Sequence, residues 1–124
     1  MNSLSEDEAR NDFETNFWGK FNVCKKGAKH INTGGSITLI SGAFAKKPNP
    51  DVFMTTISVS AIETMAKTLA LSLSPIRVNV ISHYVVDTSL VDPPKDIDDA
   101  AIFLLSNPYM TGSLLSIDGG FTII

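Results

Sequence analysis

Several side chains in this 124-residue chain have the chemistry of a catalytic acid, base or nucleophile. His83 and Tyr84 form an adjacent pair at the end of a predicted strand, where open α/β sheets bind ligands, and histidine titrates near neutral pH. No nucleophile or carboxylate is fixed beside this pair in the sequence, so we interpret it as part of a polar loop. Ser41, His30 and an aspartate have the side-chain types of a hydrolase triad, but Ser41 lacks the G-x-S-x-G turn that presents a nucleophilic serine.

Composition argues against several other kinds of site. Asp96, Asp98 and Asp99 have the chemistry of metal ligands, but acidic residues at a helix start are already explained by capping and by the helix dipole. Cys24 is the only cysteine, so we expect a small buried hydrophobe in a cytoplasmic protein and no disulfide. The net charge of −3, without a basic block, disfavours nucleic-acid partners. No apolar run reaches the roughly 18 residues of a membrane span.

The elements that must position these side chains begin with a long helix. Ser3 and Ser5 are each followed three residues later by a glutamate, which is the spacing of a capping box and predicts a helix start near Glu6. The helix is predicted to continue to residue 31, because apolar residues recur every three or four positions along one face: Phe13, Phe17, Phe21, Cys24, Ala28 and Ile31.

A strand and a second helix follow. The β-branched run 36–41 predicts a strand, and the proline-containing run 42–52 predicts a surface loop at the carboxyl end of the sheet. A helix is then predicted from Thr55 or Thr56 to Ser74, with apolar residues on more than one face. A helix of this kind must be covered twice, once by the sheet and once by another helix or another chain, so a homodimer contact through this helix is one hypothesis.

The remaining chain repeats the alternation of helix and strand. A strand is predicted over 76–82, a connecting loop over 83–95, a short helix from Asp96 that ends at Asn107, and a last strand over 114–117. This order predicts an α/β fold with about three parallel strands joined by right-handed crossovers. The length predicts a single domain over residues 1–124.

Four stretches of the chain resemble the short-chain dehydrogenase/reductase (SDR) family, in the part that follows its Asn-Asn-Ala-Gly motif. They are DFETNFWGKFNV (12–23), GGSITLISG (34–42), AIETMAKTLALSLSPIRVNVIS (61–82) and TGSLLSIDGG (111–120). The resemblance implies the back half of a Rossmann-like, three-layer domain, a partial parallel sheet with flanking helices. It also implies a homodimer whose interface is built from the two long helices, near 6–31 and 57–74.

The cofactor of the family is NAD(P), which binds a glycine-rich turn after the first strand. This chain contains no G-x-x-x-G-x-G sequence, so we expect no cofactor for this chain alone. Thr88 matches the threonine that meets the nicotinamide carboxamide in the family, and it is the remaining candidate for cofactor binding.

The family transfers hydride with the help of a tyrosine proton donor, a lysine four residues later and a serine. Asn16 matches the family's helix asparagine, whereas Gly42 falls at the serine position, with Ser41 as its neighbour. Thr55 falls at the tyrosine and Val59 at the lysine, so the Tyr-x-x-x-Lys pair is missing. The catalytic set is therefore not intact.

Two hypotheses about function follow. The first is a degenerate member of the family that keeps the scaffold and serves as an interaction module without dehydrogenase activity. The second is an NAD(P)-dependent oxidoreductase whose dinucleotide-binding front half is missing here or is supplied by another chain. In either case the apolar strand around 37–40 loses a neighbour, so we expect a second chain, a swapped segment or a rearranged N-terminus to cover its edge.

Overall fold

The computed structural model of the chain describes residues 3–84 and 95–124. A continuous helical run, here called the N-terminal helix, extends from Glu6 to His30. It consists of α1 (Glu6–Phe13), a π-helical turn (Glu14–Trp18), α2 (Gly19–Gly27) and a 3₁₀ turn (Ala28–His30). The later elements are β1 (Ser36–Gly42), 3₁₀ turns at Ala43–Ala45 and Pro50–Val52, α3 (Phe53–Ser72), β2 (Arg77–His83), α4 (Lys95–Ser106) and β3 (Leu114–Ile117).

The predicted start of the N-terminal helix is confirmed, with Ser5 as its N-cap. The Glu8 amide donates to Ser5 Oγ at 3.1 Å, and the Ser5 amide donates to Glu8 Oε2 at 2.9 Å, which completes a capping box. These bonds satisfy two backbone donors that the first helical turn leaves without a partner. The π-helical turn in the middle of the helix was not predicted.

The prediction of a plain surface loop over 42–52 is wrong. Gly42 is the last residue of β1, Ala43 is buried, and the segment contains two short 3₁₀ turns. The second turn is capped by Asn49, whose Oδ1 accepts from the Asp51 amide at 2.9 Å, and it leads directly into α3. The helix α3 therefore begins at Phe53, two residues earlier than the nearer predicted start.

The predicted boundaries of the later elements need smaller corrections. Helix α3 ends at Ser72 instead of Ser74, because the residue before Pro75 is sterically disfavoured in a helix. His83 is the last residue of β2 and pairs with both Gly42 and Ile117, so its assignment to a polar loop is wrong. Helix α4 begins one residue before Asp96, and β3 has its predicted bounds.

The sheet has the order β1-β2-β3, and both pairs of strands are parallel. On one face, Leu39, Val78 and Val80 pack against the N-terminal helix and α3 in a core that includes Cys24, Ile62 and Ala66. On the other face, Ile81 packs with Ala100 and Leu104 of α4. This three-layer arrangement of helices on both faces of a parallel sheet confirms the predicted fold class.

Several expectations about the surroundings of the chain can be compared with this fold. Cys24 is buried, as its place on the apolar stripe predicted. Within 3–84 and 95–124, no helix combines the length and hydropathy needed to cross a bilayer. The cytoplasmic location stays a prediction. The outer edge of β1 pairs with no strand formed by residues 3–84 and 95–124. The expectation that a second chain, a swapped segment or a rearranged N-terminus covers this edge stays a prediction.

Candidate functional site

The positions that the resemblance assigns to serine and lysine lie side by side, where β1 ends against α3. Gly42 has an extended backbone, with φ −141° and ψ 156°. A Cβ atom placed on it would lie 3.4 Å from Val59 Cγ1 and 3.6 Å from the His83 carbonyl oxygen. The fold therefore brings Gly42 and Val59 together at the carboxyl edge of the sheet, although neither side chain can move a proton.

Thr55 and Val59 lie one turn apart on α3 and so share one side of that helix. Thr55 is exposed and lines a cleft of about 420 Å³ between the start of α1 and the start of α3. Glu8 and Asp12 line the opposite side of the same cleft. The tyrosine position is thus open to solvent, and it carries an aliphatic alcohol in place of a phenol.

Asn16 lies in the π-helical turn of the N-terminal helix, and such turns are frequent at functional sites. Its Nδ2 donates to Asp12 Oδ1 at 3.1 Å, and its carbonyl oxygen accepts from Lys20 Nζ at 3.2 Å. The hydroxyl of Ser58, a buried residue of α3, donates to the same Asp12 oxygen at 3.3 Å. Asp12 therefore links Asn16 to the helix that carries Thr55 and Val59.

Sequence reasoning did not identify Asp12, Lys20 or Ser58. Asp12 and Lys20 each stand four residues from Asn16, the spacing of side-chain neighbours on a helix, so that signal was present. Ser58 gave no signal, because its role depends on the packing of α3 against the N-terminal helix. The structure thus joins Asn16 to α3 through residues outside the predicted set.

Ser41 is buried, and its hydroxyl donates to Glu63 Oε1 at 2.8 Å. Glu63 lies one turn beyond Val59 on α3, whereas Gly42 lies beside Val59 itself. Ser41 is therefore one helical turn further from Thr55 than Gly42 is. Its hydroxyl already donates to the Glu63 carboxylate. Ser41 therefore does not make the hydrogen bond to His30 that a hydrolase triad would need.

Tyr84, the neighbour of His83, belongs to an aromatic cluster at the carboxyl edge of the sheet. The Tyr84 ring stacks on Phe121 with centroids 3.8 Å apart and planes 7° apart, and Phe44 packs edge-on against both rings. Lys47 Nζ lies 4.7 Å from the Phe121 centroid and donates to the Phe121 carbonyl oxygen at 3.2 Å. His83 Nδ1 lies 3.4 Å from the Tyr84 carbonyl oxygen. These contacts make Tyr84 a packing residue that holds the C-terminal tail.

The shifted pKa values belong to groups other than the positions that the resemblance assigns to catalysis. Burial raises the pKa of the Cys24 thiol. The pKa of the Asp118 carboxyl is lowered, first by the hydrogen bond from the Thr122 hydroxyl and then by the Gly120 amide. The pKa of Glu8 is lowered by its hydrogen bonds with Ser5. Each of these groups serves the core, the tail or a helix cap.

The described residues do not fit a dinucleotide or a metal ion. A pyrophosphate requires a glycine-rich turn that opens a helix after a strand. Here β1 is followed by the three-residue turn Ala43–Ala45, which presents no helix N-terminus of useful length. No three potential metal ligands cluster within 3–84 and 95–124. Thr88, the remaining cofactor candidate, lies outside the described residues.

Comparison with known proteins gives a consistent set of relatives. A family model described as enoyl-(acyl carrier protein) reductase matches residues 1–96. The short-chain dehydrogenase/reductase ATR9 of Stachybotrys chlorohalonatus is 37% identical over 79 residues, which cover 64% of this chain and 31% of the relative. The human 3-oxoacyl-[acyl-carrier-protein] reductase is 27% identical, with 89% of this chain and 55% of the relative covered.

Solved structures show the same relationship. A small-chain dehydrogenase is 37% identical and superposes with a TM-score of 0.88 over 98% of this chain and 62% of its own. Another small-chain dehydrogenase, solved in complex with NADPH, is 30% identical with a TM-score of 0.86 over 98% of this chain and 66% of its own. The chain spans about half the length of the curated relatives it matches. By the extent of the family match and the shared fold, the chain belongs to the short-chain dehydrogenase/reductase family.

Proposed function

We propose that this polypeptide keeps the scaffold of the SDR family as an interaction module and transfers no hydride on its own. The observation that carries the proposal is the contact between the Gly42 and Val59 positions, 3.4 Å from a Cβ on one to Cγ1 of the other. By the resemblance, these two positions correspond to the serine and the lysine that assist proton transfer in the family. Gly42 has only a hydrogen atom as its side chain, and Val59 has an isopropyl group.

The chemistry of carbonyl reduction supports this proposal. Hydride addition to a carbonyl leaves an oxyanion that must receive a proton, and a general acid with a pKa near the working pH supplies it best. A tyrosine phenol has a pKa of about 10, and a neighbouring cation can lower it. The Thr55 hydroxyl is a much weaker acid than a phenol, and Val59 has no charge with which to assist it.

Dinucleotide titration and turnover test the proposal. The purified chain is titrated with NADH and with NADPH while their fluorescence is followed, and carbonyl substrates are then supplied while nicotinamide absorbance is recorded. The small-chain dehydrogenase solved with NADPH serves as the positive control. We expect neither binding nor turnover by this chain. Micromolar binding of either dinucleotide, or measurable turnover, contradicts the proposal.

A second candidate function is an NAD(P)-dependent oxidoreductase whose front half comes from another chain. It is favoured by the free outer edge of β1 and by relatives that extend well beyond the matched region. Co-expression with the unmatched front segment of the NADPH-binding relative tests it. Turnover by the mixture favours this candidate, whereas binding of dinucleotide without turnover favours the degenerate scaffold.

We also propose self-association through the N-terminal helix and α3. An apolar groove of about 550 Å³ runs between them, with Phe17 and Phe21 on one side and Ala61, Met65 and Leu69 on the other. Light scattering should give twice the 13.4 kDa chain mass. Ala61→Glu should give a monomer, whereas Lys67→Glu, at an exposed residue outside the groove, should not. A wild-type monomer at high concentration contradicts this proposal.

A further inference from the structure

The tail that follows β3, residues 118–124, folds back over the carboxyl edge of the sheet. It places the Phe121 ring on Tyr84 at the end of β2, and Phe44, from the turn after β1, packs edge-on against both rings. The three rings therefore come from the segments that follow all three strands, and each ring is partly exposed. Open α/β sheets bind their ligands at this edge.

Lys47 provides the polar attachment of this tail. Its Nζ donates to the carbonyl oxygens of Phe121, at 3.2 Å, and of Ile124, and it lies 4.7 Å from the centroid of the Phe121 ring. Within residues 3–84 and 95–124, every other hydrogen bond of the tail is internal to it. The tail is therefore held over the sheet by one stacked ring and one ammonium group, and few contacts must break to release it.

The overlap of Tyr84 and Phe121 is closer than two such rings adopt on their own. Their centroids are 3.8 Å apart and their planes 7° apart, which is nearly face to face. Aromatic pairs prefer an offset or edge-on arrangement, with centroids about 4.5 to 7 Å apart. The surroundings therefore define a flat slot walled by Tyr84, Phe44 and Lys47, here called the aromatic slot. Phe121 fills it without the stacking geometry that two such rings prefer.

We propose that the aromatic slot binds a planar aromatic carboxylate, and that Phe121 occupies it when this ligand is absent. The contacts of Phe121 show what the ligand must carry. A flat ring takes the place of the Phe121 ring on Tyr84, and a carboxylate accepts from Lys47 Nζ in place of two carbonyl oxygens. A charged acceptor forms stronger hydrogen bonds with an ammonium than a neutral carbonyl does. This binding function is separate from the interaction-module function proposed above.

The distance between Lys47 and the ring sets where the carboxylate is attached. Because Nζ lies 4.7 Å from the Phe121 centroid, a carboxylate bonded directly to the stacked ring is within its reach. The tail must leave before the ligand enters, so the apparent affinity is reduced by the fraction of chains in which the slot is free. If Phe121 fills the slot in about nine chains of ten, removal of its ring raises the apparent affinity about tenfold.

Fluorescence titration with 2-naphthoate, without dinucleotide, tests this competition. We expect Phe121→Ala to bind 2-naphthoate about tenfold or more tightly than the wild type, because the competing ring is gone. The matched control is Ile123→Ala, which removes an apolar side chain of the same tail that is 87% exposed. This control should bind like the wild type.

The chemistry of the ligand is tested in the Phe121→Ala chain, where release of the tail no longer contributes. 2-Naphthamide keeps the flat ring without the charge, and cyclohexanecarboxylate keeps the charge without the flat ring. Each should bind about tenfold more weakly than 2-naphthoate. Adding Lys47→Gln should weaken 2-naphthoate binding by a similar factor. Lys29→Gln, at an exposed lysine of the N-terminal helix, should not.

NMR gives a readout that needs no variant. The chain has two tyrosines, so ring labelling separates Tyr84 from Tyr109, which is 98% exposed. In the wild type, 2-naphthoate should shift the ring signals of Tyr84 and Phe121 over the same range of ligand concentration, because both rings lose their stacking partner. The Tyr109 signals should stay in place.

Three results would overturn the proposal. The first is no shift of the Tyr84 and Phe121 signals at any soluble concentration of 2-naphthoate, which would leave Phe121 as a fixed packing residue. The second is equal affinity of the wild type and Phe121→Ala, because Phe121 would then not compete for the slot. The third is binding that is the same for 2-naphthamide or that Lys47→Gln leaves unchanged, which would indicate apolar association without a carboxylate site.

Discussion

Asn79 provides a sensitive test of how the carboxyl half of the sheet is held together. It is fully buried in β2, its Nδ2 donates to the Met110 carbonyl oxygen at 2.8 Å, and its Oδ1 accepts from the Ser113 amide at 3.1 Å. The side chain therefore bridges the segment between α4 and β3. Asn79→Asp keeps the shape of the side chain but changes its hydrogen bonding with pH.

The protonation state of the introduced carboxyl decides the outcome. When protonated, it can donate to the Met110 oxygen and accept from the Ser113 amide, much as asparagine does. When ionised, it loses the donor, and its charge is buried. The Arg77 guanidinium, which donates to the same Met110 oxygen at 3.3 Å, offsets part of this cost. Burial alone raises the pKa of a carboxyl by up to about 3 units from its ordinary value of about 3.9, which corresponds to at most about 4 kcal/mol. Because the folded-state pKa is raised, the variant's stability is retained below about pH 4 and lost as the pH rises toward 7.

Urea unfolding of wild type and variant at matched pH values measures this difference. We expect the free energies of unfolding to agree within about 1 kcal/mol near pH 4 and to differ by about 2 to 3 kcal/mol near pH 7, where Arg77 offsets part of the burial cost. Asn22→Asp, at an exposed residue of α2, is the matched control and should show no such pH dependence. A constant difference between the Asn79→Asp variant and wild type at all pH values would refute the reasoning.

Three further predictions concern other parts of the fold. Arg77→Met removes guanidinium hydrogen bonds to carbonyl oxygens at the end of α4 and should lower the free energy of unfolding by about 2–3 kcal/mol. The control Arg10→Met, in an exposed ion pair, should change the free energy of unfolding by under about 0.5 kcal/mol. Thr38→Val removes a hydroxyl that has no hydrogen-bond partner among residues 3–84 and 95–124, so it should leave stability unchanged or raise it by up to about 1 kcal/mol. A clear loss of stability would mean that the hydroxyl is bonded. Cys24 should react with iodoacetamide near pH 8 about a hundredfold more slowly in the folded than in the urea-unfolded chain, and rapid native labelling would contradict its burial.

Much of the fold could be predicted from the sequence because local signals and tertiary packing agree. The apolar stripe and capping box located the N-terminal helix, and the β-branched run located β1. The errors fall where tertiary contacts decide the boundary. His83 reads as polar loop in the sequence, yet it joins β2 because Gly42 and Ile117 pair with it on either side.

The candidate site was less predictable because its connections cross between elements. The resemblance placed Asn16, Gly42, Thr55 and Val59, but no pattern along the chain indicates that Asp12 joins Asn16 to α3. Such contacts join residues far apart in the sequence, as between Ser58 and Asp12, which are 46 positions apart. Periodicity and turn signals describe single elements and do not report which side chains meet across a layer.

The family features that this chain keeps differ in physical role from those it lacks. Arg77 and Asn79 bond the backbone of residues 104–113, and the amide of Gly112, which has φ +67°, donates to the Val78 carbonyl oxygen at 2.7 Å. Changes at these residues leave buried groups unpaired or strain the backbone. Gly42 has an extended backbone that any residue can adopt, and Thr55 is exposed, so changes there cost the fold little. Selection for the fold alone would preserve Arg77, Asn79 and Gly112 but would allow changes at positions 42 and 55. Selection for hydride transfer would preserve the family's residues at both sets of positions.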